Sequence, residues 1–354
     1  RITVYTNAEV IESEGHIGRF TSTVRLRDRK EMLTVRHGAT VVATGGTESA
    51  TREYGYGEST SVTTQEELSK ALAAGAVTPE QLQTVVMIQC VGSREPGGRD
   101  YCSRLCCGRA LVNANSIHEL APEARIIVLY RDMMAYGFWE RHYTEARARG
   151  VIFVTYDLEN KPEVVVESKQ PTVRFMDSLV GDTVQVAPSL VVLSTGIEPN
   201  DVDSIAETLG IDRGTGGFFR ELDVKWRPVD SSREGVFLCG LCHSPRSIPE
   251  SMVMAEAAAQ RALTVLSRRE IVSARLVSEV RDAFCSSCER CVELCPHHAR
   301  SLDPRTGRIS VDELSCQGCG ICVAGCPSGA ASFSGGLESQ VMTAIDAQLR
   351  NAWV

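Results

Sequence analysis

The segment CSSCERCVELCP at 285–296 recurs as CQGCGICVAGCP at 316–327, and each copy has the spacing C-x2-C-x2-C-x3-C-P. Thiolates at i, i+3 and i+6 can wrap one iron–sulfur cube, while the fourth, turned away by its own loop, reaches a second cube. The ligand sets therefore cross between the copies. Cys285, Cys288, Cys291 and Cys326 are expected to hold one [4Fe-4S] cluster, and Cys316, Cys319, Cys322 and Cys295 the other. Pro296 and Pro327 stop the helical turn after each fourth cysteine, and Gly318, Gly320 and Gly325 let the backbone approach the sulfides. A zinc ribbon also uses C-x2-C pairs, but two successive C-x3-C-P runs fit it poorly, and a disulfide framework fits less well still.

The remaining composition agrees with a reduced, soluble setting. Fourteen cysteines in a chain with no signal-peptide layout and no apolar run long enough for a membrane span point to metal or redox chemistry rather than disulfides. The expected compartment is the cytoplasm. A net charge of -8, without a long Lys/Arg block, argues against nucleic acid or an acidic membrane surface as the main partner. The chain opens on Arg1 rather than Met, so an upstream segment is expected.

Ahead of the repeat the sequence alternates strand and helix patterns. TVVMIQC, RIIVLY and VIFVTY are apolar strands separated by the helices RLCCGRALVNANSIHEL and FWERHYTEARARG. Three short β-branched strands follow, EVVVES, TVRFM and TVQV, and then SLVVLSTGIEPN returns to the sheet. A β-α-β-α-β run, a meander and a returning strand describe a nucleotide-binding lobe of the two-lobed flavoprotein reductases.

The expected fold class is α/β: a thioredoxin-reductase-like flavoprotein of two nucleotide-binding lobes, the first incomplete, with a C-terminal two-cluster bacterial ferredoxin domain. Residues 1–46 and 197–266 form the flavin-binding lobe, its N-terminal half absent; 47–84 connect, with 53–62 as a hinge strand; 85–196 are the inserted lobe. Residues 267–283 are a linker, 284–334 the ferredoxin domain and 335–354 an amphipathic C-terminal helix suited to docking.

The inserted lobe departs from the usual pattern at its first turn. Where G-x-G-x-x-G would seat NAD(P)H, the chain runs CVGSREPGGRDYCSRLCC. Cys90, Cys102, Cys106 and Cys107 flank this turn and can converge at a helix N-terminus, whose amides favour anionic sulfur. Spacing alone leaves three readings open: a further iron–sulfur cluster, a thiol–disulfide pair, or plain packing.

These segments together resemble the A-type subunit of heterodisulfide reductase and its relatives in the quinone-interacting membrane-bound oxidoreductase. IQCVGSRE, YCSRLCC, VLYRDMMAYGFWE, VFLCGLCHSPRSIPESMVMAEAAA and the ferredoxin tail occur in that family's order. The resemblance implies that Cys90, Cys102, Cys106 and Cys107 ligate a [4Fe-4S] cluster beside FAD, giving three [4Fe-4S] clusters in all. It also implies that the helix after Gly240 aims its free amides at the flavin, with Gly240, Ile248, Pro249, Glu250 and Ser251 as contacts and Thr44 with Gly45 in the same lobe.

The resemblance further implies an electron-transfer oxidoreductase subunit that passes electrons between iron–sulfur clusters and FAD in a complex with other redox subunits, no catalytic residues being assigned. A chain supplying the missing half of the flavin lobe is among the expected partners, and a site at the periphery of a membrane complex follows from the quinone-linked relatives. The alternatives are a wiring or assembly subunit without its own flavin, or a part of a quinone-linked complex in sulfur metabolism.

Two departures stand out. No G-x-G-x-x-G for the FAD pyrophosphate occurs in the chain, and GTGGFF at 214–219 does not fit its spacing. Bifurcating members carry a lysine five residues after the paired cysteines, where this chain has Val112, and Arg109 is the nearby cation. Cys239 and Cys242 form a further C-x2-C, expected as buried or flavin-adjacent free thiols rather than ligands, and His297 and His298 are expected on a solvent-facing loop.

Overall fold

A computed structural model describes residues 2–200, 203–270, 276–313, 315–333 and 338–351. Part of the expected linker, 271–275, and residues 335–337 and 352–354 of the expected terminal helix lie outside them. The chain divides into two units, Arg1–Ser267 and Arg268–Val354.

The larger unit contains a five-stranded parallel sheet in the order Val62–Thr64, Leu190–Leu193, Thr84–Ile88, Arg125–Tyr130, Ile152–Thr155. Val85, Val86, Met87 and Ile88 are all fully buried, as expected for a parallel strand covered on both faces. One face packs on helices Gln65–Ala73, Cys106–Leu120 and Glu140–Ala148 through Leu68, Leu111, Ile117 and Ala146. The other carries the antiparallel meander Glu163–Glu167, Gln170–Asp177, Asp182–Val186, whose Val173 and Phe175 meet Ile88, Leu129 and Val191. The result is three layers: helices, sheet, meander. At Gly108 a Cβ would meet the Trp139 ring at 2.9 Å, so this close helix packing requires glycine.

The rest of the unit is smaller. A meander of Ala8–His16, Arg19–Leu26 and Glu31–His37 leads into Thr40–Val42, which pairs in parallel with Val236–Leu238. Helix Ile248–Leu266 packs on this pair through Met254, Ala258 and Ala262. The chain passes between the two regions through Gly46–Glu48, paired antiparallel with Ile197–Pro199. These two segments form the crossing, in place of the strand expected over 53–62. Residues 53–60 are turns and isolated bridges, because Tyr54, Gly55 and Gly57 all take positive φ, which breaks extended backbone.

The second unit pairs Ser278–Val280 with Ala331–Phe333 and Arg300–Asp303 with Arg308–Val311, both antiparallel. Ser278–Val280, inside the expected linker 267–283, thus form a strand of the ferredoxin-like unit. Its two cysteine segments repeat in conformation as well as sequence: Ser287 and Gly318 have φ of 50° and 66°, and Glu289 and Gly320 have φ of 57° and 81°. Helix Glu338–Asn351 follows. No helix among the described residues is long and apolar enough to cross a membrane.

Candidate functional site

In the larger unit the site grows from the turn after Thr84–Ile88. Cys90, Arg94 and Arg104 all sit in left-handed backbone, with φ between 59° and 60°. Three non-glycine residues in that region within one loop mark a conformation imposed by its surroundings. Those surroundings can be named. The Arg99 guanidinium donates to Thr195 O at 2.6 Å and Val91 O at 3.2 Å, and pairs with Glu198 at 2.6 Å. Tyr101 Oη donates to Ile197 O at 2.9 Å, and Ser103 Oγ accepts from Ile197 N at 2.8 Å. The cysteine loop is therefore fastened to the segment that returns from the sheet. Gly196, at φ 89°, has no room for a Cβ, which would meet Ser93 Oγ at 2.7 Å.

The four cysteines of this loop are brought within electrostatic reach of one another. Cys90 and Cys107 are buried, Cys102 and Cys106 half-buried, and Cys106 and Cys107 open helix Cys106–Leu120. Burial pushes the Cys106 thiol far up, and Cys107, Cys90 and Cys102 push it in the same direction. Cys107 is raised to about 11, first by burial and then by Cys90 and Cys102, against the Met134 amide and the Arg94 guanidinium. Cys106 and Cys107, held up by burial and by neighbouring thiols, ionise only where a cation neutralises them. Iron does that, so the donor set fits an iron–sulfur cube. Among the described residues no group of three or more His, Cys, Asp or Glu side chains is placed to hold a single metal ion. A cube spreads its ligands around four irons and makes a different demand.

The expected flavin residues also come together. Thr40–Val42 and Val236–Leu238 run in parallel, so Thr44, Gly45 and Gly240 follow the carboxyl ends of neighbouring strands, the usual ligand-binding edge of such a sheet. Gly240 faces Ser251, whose Oγ lies 3.8 Å from where a Cβ would stand. Ser247 caps the Ile248–Leu266 helix by accepting from Glu250 N, and Glu250 accepts from Ser247 N at 2.8 Å. Thr44 Oγ1, Ser251 Oγ and Arg246 Nε are buried without partners, and Ile248 is 78% exposed. Orphaned donors beside an uncovered helix start fit a polar ring system such as isoalloxazine. Pro249 is exposed in the first turn.

Sequence reasoning missed the residue that links the two clusters of side chains. Arg104, between Cys102 and Cys106, forms an ion pair with Glu250 and donates to Tyr136 Oη at 2.6 Å. Its only signal in the sequence was its place inside the cysteine motif. A cleft of about 300 Å³ opens beside it, lined by Tyr101, Cys102, Phe218 and His243. Val112 is half-buried and Arg109 exposed. Cys239 and Cys242 are free and buried, and burial pushes Cys242 up to about 12.

In the second unit, Cys295, Cys316, Cys319 and Cys322 line one small cavity. The same four form one of the crossed sets expected from the spacing. Backbone amides point at sulfur: Ser287 N donates to Cys285 at 3.4 Å and Ala299 N to Cys295 at 3.3 Å. Burial raises the Cys326 thiol, but the amides of Ala331, Ala330 and Ser328 and the Ser328 hydroxyl outweigh it and hold it at about 7. Amide donors that favour thiolate fit a cluster ligand. Cys288 is exposed, and Cys291 is half-buried within the Arg290–Glu293 helix. His297 and His298 are exposed.

Residues 284–330 match the 4Fe-4S dicluster domain family. The chain is 38% identical over 273 residues to the second iron-sulfur A-type subunit of the CoB–CoM heterodisulfide reductase of Methanopyrus kandleri, covering 73% of this chain and 41% of that protein. It is 34% identical over 350 residues to the A-type subunit of the H(2)/formate:CoB-CoM heterodisulfide,ferredoxin reductase of Methanococcus maripaludis, covering 93% of this chain and 53% of that protein. The chain thus spans about half the length of the curated relatives it matches. Among solved structures it superposes on T. acidophilum thioredoxin reductase with a TM-score of 0.50 at 15% identity, covering 74% of each chain. The larger unit therefore has the thioredoxin-reductase-type flavoprotein fold, and the smaller one the dicluster ferredoxin fold.

Proposed function

The chain belongs to the family of heterodisulfide reductase A-type subunits, and from that premise we propose that it is an electron-transfer subunit joining iron–sulfur clusters to a flavin within a larger redox complex. The observation that carries the proposal is the gathering of Cys90, Cys102, Cys106 and Cys107 on a loop whose Arg104 grips the start of the Ile248–Leu266 helix. When bound, cubes supply single-electron transfer and a flavin supplies exchange between one- and two-electron steps.

The chain's own residues do the holding. Cys90, Cys102, Cys106 and Cys107 bind a cube where a nicotinamide would otherwise lie, and Arg99, Tyr101 and Ser103 fix the loop that carries them. Thr44, Gly45, Gly240, Ile248, Pro249 and Ser251 border the flavin, with the dipole at the helix start favouring negative charge on its ring. Glu250 acts one step further out, as the cap of that helix. The crossed sets, Cys285, Cys288, Cys291 with Cys326 and Cys316, Cys319, Cys322 with Cys295, hold the other two cubes.

Other redox subunits of the complex give and take the electrons, and a segment bearing a glycine-rich loop completes the flavin lobe. Val112, in place of a cation near the flavin, favours simple transfer over bifurcation. The test is anaerobic purification of the intact complex with flavin and iron quantified per chain. Flavin together with iron beyond that of two cubes supports the proposal, and neither one sinks it.

A further inference from the structure

Arg300 is 4% exposed and lines the cavity shared by Cys295, Cys316, Cys319 and Cys322. Its Nη2 donates to Ser278 Oγ, which stands 3.4 Å from Cys322 Sγ. Its Nη1 is buried with no partner, and no carboxylate meets the guanidinium among the described residues. A buried cation without a counter-charge is expensive, and native chains keep one only where an anion compensates it. Four thiolates around a cube are such an anion, and each reduction adds another negative charge.

The internal repeat supplies the comparison. Arg300 follows Cys295 at the same offset at which Ala331 follows Cys326, and Ala331 is equally buried, at 5%. The two halves of the unit match in motif and in backbone, yet at this position one carries a buried guanidinium and the other a buried methyl group. His297 and His298 are exposed, so water and salt screen them. Arg300 is shielded from both.

Resting on the cluster assignment above, we infer that Arg300 makes the two clusters of the ferredoxin-like unit unequal. It holds the cluster on Cys295, Cys316, Cys319 and Cys322 at the higher potential, because a nearby buried cation favours the more negative, reduced state. An electron entering the unit settles on that cluster. The unit therefore has a direction built into it, rather than two equivalent stations.

The test is an EPR-monitored redox titration of the full chain, anaerobically reconstituted, as wild type, Arg300→Met and Arg300→Lys. Methionine keeps most of the volume and removes the charge; lysine keeps the charge. In Arg300→Met, one of the two ferredoxin-unit signals is expected to move to lower potential by at least tenfold in its equilibrium constant, about 59 mV for one electron, while the other stays. Arg300→Lys is expected to remain near wild type.

Unchanged midpoints in Arg300→Met, or equal shifts in both variants, overturn the inference. If Arg300→Met loses one cluster outright, retention of that cluster in Arg300→Lys supports the role of charge, and its loss there overturns it. Wild-type protein that takes up no cluster in this unit fails the underlying assignment instead, a result distinguishable by its iron content.

Discussion

Arg104 and Glu250, 146 residues apart in sequence, are ion-paired across the larger unit. The arginine sits between two candidate cluster ligands, and the glutamate closes the capping box of the helix that borders the flavin edge. One contact therefore fixes the position of both. Both side chains are about one-third exposed, so the pair alone is worth no more than about 1 kcal/mol. Its larger consequence is geometric.

That geometry has a pH signature. Burial pushes the Glu250 carboxyl up, but the Ser247 amide, Arg104 and the Ser247 hydroxyl outweigh it and leave it below its ordinary value. A depressed folded pKa contributes stability that is present above the unfolded value and lost as pH falls through the folded one. Thermal melts of wild type and Glu250→Gln, compared from neutral pH downward, should differ most above the ordinary carboxylate range and converge below it. A difference that grows on acidification contradicts the pairing.

The crossed ligand sets make a separate prediction. Cys295→Ala and Cys322→Ala should perturb the same EPR signal, and Cys326→Ala the other, although Cys326 lies closer in sequence to Cys322 than Cys295 does. If Cys322→Ala and Cys326→Ala remove the same signal, each segment holds its own cluster and the crossing is wrong.

Cys242 should prove inert. It is fully buried, its sulfur donates to Val42 O and Cys239 O at 3.1 Å, and burial holds it at about 12. Iodoacetamide on the native protein near pH 8 should leave it unmodified, because almost none of it is thiolate. Cys242→Ala should cost on the order of 1 kcal/mol by removing buried volume, with iron content unchanged. Rapid alkylation, or loss of iron, contradicts a packing role.

The sequence made the parallel sheet legible because its strands are short, apolar on both faces and separated by helix-period segments. The cysteine repeat was legible because metal spacing is local. The glycine-punctuated segment at 53–62 reads as a hinge strand, but Gly55 and Gly57, with Tyr54, take positive φ and turn the chain at 53–60. The roles of Arg104 and Arg300 were not legible. A charged residue inside or beside a cysteine motif has no periodic signature, and its meaning comes from a partner, or a missing one, supplied by distant chain.

The most direct measurement of the cluster in the inserted lobe is Mössbauer spectroscopy with iron quantification on the anaerobic wild-type chain and on Cys106→Ala/Cys107→Ala. Iron for three cubes is expected in wild type and for two in the variant, with the ferredoxin-unit signals intact. Equal iron in both proteins would contradict this, because the thiols of the inserted lobe would then hold no cluster.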